Sequence, residues 1–166
     1  MIAFVDVQYA DPKGTAACVV AAQWTDAVAI EERVTVIDPV APYVPGRFFE
    51  RELPCIVAVL ARVSSAFDVL VVDGYVTLDA QGTPGLGAHV HAHFQGAFPV
   101  VGVAKTAFRG STFATSIFRG KSQSPLYVTA RGIGIDEASK LVQGMHGVHR
   151  IPTLLGRVDA LARGRP

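Results

Sequence analysis

Two of the most apolar runs in this chain each carry a single acid. Met1–Val7 reads MIAFVDV and Val69–Gly74 reads VLVVDG. Runs this short and this rich in Val form strands covered on both faces of a sheet. An ionised carboxylate in such a place costs several kcal/mol unless it is paired or bound to a cation. Asp73 precedes Gly74, and a strand-end Asp-Gly turn explains it as readily as a ligand role does. Asp6 is harder to assign to a turn, because Val7 continues the run. If the two strands are neighbours, both carboxylates emerge together at the C-terminal edge of a sheet. They then repel one another unless a divalent cation sits between them.

The rest of the pattern supplies the sheet. Thr15–Gln23 and Val28–Ile37 read as two further strands, with turns at Asp11–Gly14 and Trp24–Asp26, so a three-strand antiparallel meander opens the chain. A proline-rich loop, residues 38–46, follows. Pro54 suits the first turn of a helix reaching Ser64. After the Phe67–Val72 strand come a loop at Asp79–Gly87, a short helix at Ala88–Gln95 and a buried strand at Phe98–Ala104 ending on Lys105. Ser111–Phe118 and Pro125–Thr129 are expected to pair as a hairpin, and helices are expected at Ile135–Met145 and Leu154–Arg163. This order predicts one α/β domain over residues 1–166, with a mixed central sheet flanked by helices, and it suits the ribonuclease H-like fold.

With 166 residues, half of them apolar and 17% charged, the chain has ample material for a core and no case for disorder. No apolar stretch approaches the roughly 18 residues of a membrane span, and the acid at Asp6 argues against a secretory leader. Cys18 and Cys55 both lie in apolar runs and read as buried thiols of a reducing compartment, so a cytoplasmic protein is expected. The net charge of +1 hides a split: residues 1–100 sum to −6 and residues 101–166 to +7. Acids are thus concentrated in the half that would hold a hard cation, and bases in the half that would meet phosphates.

Oxygen ligands without a Cys/His set favour Mg²⁺ or Mn²⁺ over Zn²⁺. Such ions activate water and stabilise charge on a phosphoryl group. Lys105, just past a buried strand, can set a fixed positive charge beside the same site. His89, His91 and His93 would share one face only in a strand. In the expected helix only His89 and His93 do, and no third helical ligand completes a zinc site.

Four stretches, in order and suitably spaced, resemble the endonuclease V family of deoxyinosine-directed nucleases: VDVQY (Val5–Tyr9), PYVPGRFFERE (Pro42–Glu52), VVDG (Val71–Gly74) with GLGAH (Gly85–His89), and PVVGVAK (Pro99–Lys105). Weaker similarity continues through PLYVT, HRIP and RVDALA (Arg157–Ala162). The resemblance implies a ribonuclease H-like fold and a Mg²⁺-dependent endonuclease of DNA repair, with Mn²⁺ as a substitute ion. It implies cleavage one nucleotide 3′ of deoxyinosine or another deaminated base, leaving a 3′-hydroxyl and a 5′-phosphate. By the same resemblance, Asp6, Glu52 and Asp73 are the metal-binding carboxylates and Lys105 is the catalytic lysine near the attacked phosphate. Pro42, Tyr43, Val44 and Pro45 form the wedge that enters the duplex. Backbone near Gly74 and Gly87 approaches the flipped base, and His89 is placed with them on the nucleic-acid side.

Three departures accompany the resemblance. The family's histidine after the PLYVS-like strand is replaced here around Arg131 or Gly132. A second histidine, six residues after the second Asp, is replaced by Asp79, and the family's N-terminal helical extension is absent. These departures keep two alternatives in view: a lesion-binding protein with weakened catalysis, and a nuclease for RNA or branched substrates.

Overall fold

A computed structural model of the chain describes residues 1–108 and 113–165. The opening meander is β1 (Ile2–Ala10), β2 (Lys13–Ala21) and β3 (Glu31–Ile37). Then follow α1 (Phe48–Leu60), β4 (Val69–Asp73), α2 (Leu86–His93), β5 (Val100–Ala104), β6 (Thr115–Ile117), β7 (Leu126–Arg131), α3 (Ile135–Gln143) and α4 (Thr153–Ala162). They build one seven-stranded sheet in the order β3-β2-β1-β4-β5-β7-β6. The β1–β4 and β4–β5 pairs are parallel, and the others are antiparallel. The expected mixed sheet and ribonuclease H-like order are therefore present. The hairpin near residue 117 forms as β6 and β7, although its expected start at Ser111 lies outside the described residues.

Alternation along the central strands sorts side chains between two cores. On β1, Ile2 and Phe4 join Val71, Val101 and residues of α3 and α4. Ala3, Val5 and Val7 face the other way, with Leu70, Val72 and residues of α1 and α2. Continuous apolar runs are what strands covered on both faces require.

Two expectations need correction. β1 runs on to Ala10 rather than stopping at Val7, because its far half still pairs with β2. Pairing with β4 ends at Val5↔Val72, so from Asp6 onward one edge of β1 is open. Helix α1 begins at Phe48, six residues before Pro54, which lies inside the helix. Pro54 removes one backbone donor. The turn N-terminal to it is held by tertiary packing: Arg51 and Glu52 are buried, and Phe49 stacks on His89 with ring centroids 3.5 Å apart.

Candidate active site

Parity places the acids. Val69 and Val71 contribute to the α3/α4 side of the sheet, so Asp73, two residues on, points to that side. By the same count Asp6 follows Ile2 and Phe4, and Lys105 follows Val101 and Val103. The β1–β4 register, extended one step beyond Val5↔Val72, sets Asp6 beside Asp73. Lys105 Nζ lies 2.5 Å from an Asp73 carboxylate oxygen and 3.5 Å from Asp159 Oδ1. Asp159 comes from α4, which packs on this side. Carboxylate oxygens of Asp6, Asp73 and Asp159 all lie within 4.8 Å of one another. The cluster sits over a cavity of about 10 Å³ floored by Val103, Leu126, Ile151 and Leu155.

The family resemblance groups Asp6 and Asp73 with Glu52. The structure brings Asp6 and Asp73 together and adds Asp159, which is not among the expected ligands. Glu52 approaches from α1, on the opposite face of the sheet, close enough for the charges of Asp6 and Asp73 to act on it. A sequence signal for Asp159 existed. It lies four residues after Leu155 and three before Ala162, both buried, and an acid in the apolar stripe of a helix needs a partner.

Asp6 and Glu52 are each only 5% exposed. Burial and then the charge of Asp73 raise the Asp6 carboxyl to about 6. Burial, then Asp6 and Asp73, raise Glu52 to about 8. Glu52 Oε2 is buried without a hydrogen-bond partner. Burial opposes the Lys105 charge, but the hydrogen bond and charge of Asp73 outweigh it and raise its pKa. Asp159 is held below the usual carboxylate range chiefly by its hydrogen bonds from Arg163. Crowded acids offering only oxygen, one of them buried and unpartnered, form a donor set that fits a divalent hard cation.

This crowding has a measurable consequence. In chelator, both raised carboxyls bind protons more tightly in the folded state than in the unfolded chain, whose values are near 3.8 and 4.5. Stability is then greatest below the unfolded values and falls as pH rises toward the folded ones. The melting temperature should therefore drop between about pH 5 and pH 8. Magnesium at ten times its dissociation constant should add about 1.4 kcal/mol at the upper end, roughly 3–6 °C for a chain of this length. A melting curve at about pH 8 that ignores magnesium would contradict the metal-site assignment.

Beside the carboxylates opens a second cavity of about 440 Å³, bordered by Tyr43, Phe49, Glu52, Asp73, Tyr75 and Phe108. Such a volume is typical of small-molecule sites. Tyr43 is 59% exposed and Val44 41%, on the loop before α1. Gly74 lines this cavity, with φ +140 where β4 ends, a conformation that favours glycine. Gly87 lies inside α2. Its N–H is donated to the Tyr75 carbonyl, and a Cβ there would come within 2.7 Å of Val76. His89 stacks on Phe49, whose ring lines the cavity. Asp79 is turned to a local bond from the Thr83 N–H.

Arg131 pairs with Val100, and Tyr127 with Ala104. Four residues of strand, about 13 Å, thus separate Arg131 from the Lys105 end of the sheet. Gly132 packs against Pro99 and His91. The departure around Arg131 and Gly132 therefore lies at the far edge of the sheet, not at the carboxylates.

A mixed sheet in this order, with carboxylates gathered at the ends of its central strands, defines a ribonuclease H-like protein. The family model of endonuclease V matches residues 1–135, and the chain belongs to the endonuclease V family. It is 29% identical over 161 residues to endonuclease V of Thermococcus kodakarensis, covering 96% of this chain and 76% of that one. The crystal structure of endonuclease V from Streptomyces avermitilis is 25% identical, with a TM-score of 0.78, and the match covers 98% and 79% of the two chains. The Ciona intestinalis enzyme, solved with DNA containing an inosine followed by a ribo-adenosine, shares the fold at 16% identity and a TM-score of 0.80, over 98% and 84%. No helix among the described residues is long and apolar enough to cross a membrane.

Proposed function

We propose that this chain is a divalent-cation-dependent endonuclease that hydrolyses a phosphodiester beside deoxyinosine or another deaminated base in nucleic acid, leaving a 3′-hydroxyl and a 5′-phosphate. The observation that supports this most strongly is the carboxylate cluster of Asp6, Asp73 and Asp159 opening beside an aromatic-walled cavity. The Ciona relative binds inosine-containing DNA, which favours a base as the occupant of that cavity.

Asp6, Asp73 and Asp159, with Glu52 from the other face, are the residues that would hold Mg²⁺, or Mn²⁺ in its place. When bound, the ion supplies Lewis-acid activation of water and of the phosphoryl group at neutral pH. Lys105 keeps its proton and so acts as a fixed cation toward phosphate oxygens, not as a base. The rigid Pro42–Pro45 segment offers the Tyr43 ring to the stack from which a base is withdrawn. A mismatched or deaminated base is the cheapest to unstack. Glu52 and Asp73 border both the cluster and the cavity, so a base seated there brings its own backbone to the acids.

Tyr43→Ala should lower the preference for inosine over a plain strand about tenfold, on the scale of one lost aromatic stack, and leave the magnesium-induced melting shift intact. Competition between the two strands in one reaction measures it, and unchanged preference would remove Tyr43 from recognition. The ribo-adenosine in the Ciona complex favours testing ribonucleotide next to inosine alongside DNA. A 2′-hydroxyl is the one group that separates the two.

A further inference from the structure

On the α3/α4 side of the sheet, two loops form a single ordered unit. One joins β6 to β7 (residues 118–124) and the other joins α3 to α4 (residues 144–150). Buried Arg119 is the keystone. Its guanidinium donates to the carbonyls of Gln143 at 3.3 Å, Gly147 at 3.2 Å, His149 at 3.0 Å and Met145. Gln143 returns a bond to the Phe118 carbonyl at 2.7 Å. The loops touch so closely that a Cβ at Gly120 would lie 2.4 Å from the Val148 carbonyl oxygen. Arg150 then ties the unit to the active site, donating to the carbonyl oxygens of Pro125, at 2.7 Å, and of Lys105. Leu126, two residues past the first loop, and Ile151, the next residue after the second, both line the cavity under the carboxylates.

What this unit shows to solvent is unusual. Phe118 is 55% exposed and Val148 80%, although the loops that carry them are fixed by the largely part-buried hydrogen bonds of Arg119. In the same loops lie exposed Lys121, His146 and His149, and neither loop contains an acid. The acids of α3, Asp136 and Glu137, are in its first turn, at the far end of that helix. Exposed apolar groups on a rigid frame mark a contact surface. With Lys121 as the exposed cation, imidazoles beside it and no acid, the matching partner is a nucleic-acid strand, whose bases stack and whose phosphates are neutralised.

We infer that residues 118–124 and 144–150 form a second nucleic-acid platform, which grips the strand where it leaves the active site on the α3/α4 side of the sheet. Preorganisation by Arg119 means that no loop has to be ordered on binding. The platform rests on the proposed nuclease reading only for the position of the strand; its charge and exposed rings would bind any strand.

The test uses the full chain and its Phe118→Ala/Lys121→Ala double variant, neither residue lying in the catalytic cluster. Binding is measured across a salt series to an inosine-containing single strand with about ten nucleotides on either side, to a plain strand of equal length, and to an inosine strand trimmed to about three nucleotides on either side. The double variant should bind both long strands about tenfold more weakly, with a log–log salt slope smaller by about 0.7. Its affinity for the trimmed strand and its turnover at saturating substrate should equal those of wild type. Unchanged affinity and slope on the long strands, in a variant that melts at the wild-type temperature, would overturn the platform, and so would equal loss on the trimmed strand. If the double variant does not fold, Lys121→Ala in its exposed loop gives the slope alone. Failure of wild type to cut at inosine would count against the nuclease reading and leave the plain-strand slopes to decide the platform.

Discussion

Asp73→Ala is expected to reduce cleavage of an inosine-containing strand by about three orders of magnitude or more. Asp73 shares the cluster with Asp6 and Asp159 and is the closest partner of the Lys105 ammonium, at 2.5 Å. Its loss removes one of the oxygen donors that fit the cation and leaves Lys105 free to drift toward Asp159, 3.5 Å away. Interactions of this kind supply several kcal/mol of charge stabilisation, and each 1.4 kcal/mol is about tenfold in rate. The fold should tolerate the change. Asp73 ends its strand, half-buried, and removing one of several mutually repelling carboxylates relieves Asp6 and Glu52. Single-turnover rates of variants matched for melting temperature separate lost chemistry from lost structure. A variant that still cuts within tenfold of wild type would mean that the carboxylate cluster is not the reaction centre.

Lys105→Ala is expected to lower turnover by about 10²–10³, the usual cost of removing one preorganised charge from a developing oxyanion. Binding of the strand should change far less, because one phosphate contact among several is lost. Lys105→Arg should not restore the rate in full. A planar fork on a longer stem cannot take the position of a compact ammonium already held by Asp73 and Asp159. A kcat/KM loss carried by KM alone, with kcat intact, would reassign Lys105 to binding.

Much of this site could be read from the strands themselves. Continuous apolar runs, each with an acid or base at or near its far end, set Asp6 and Asp73 at one sheet edge on the condition that their strands are neighbours, and put Lys105 just past a third. The parallel β1–β4 pairing then brings the first two together. Helices were less legible. Pro54 looked like a start signal, yet stacking of Phe49 on His89 and burial of Arg51 and Glu52 carry α1 back to Phe48. Glu52 was reached only through family resemblance, because nothing local marks an acid in that turn as one aimed over the sheet. Asp159 was missed for a related reason: acids on helices are common, and only its place between Leu155 and Ala162 distinguishes it. The expected loss of a site residue at Arg131 or Gly132 came from motif order without register. Antiparallel pairing of β5 and β7 carries those residues to the other end of the strands, away from the carboxylates.

The most direct test is to incubate the purified protein with end-labelled strands, with and without one deoxyinosine, in Mg²⁺, Mn²⁺ or EDTA. A metal-dependent cut one nucleotide 3′ of the inosine, absent from the plain strand and in EDTA, is the expected result. No cut with either ion, alongside inosine-specific binding, would contradict the nuclease reading and leave a protein that recognises the lesion without hydrolysing the strand.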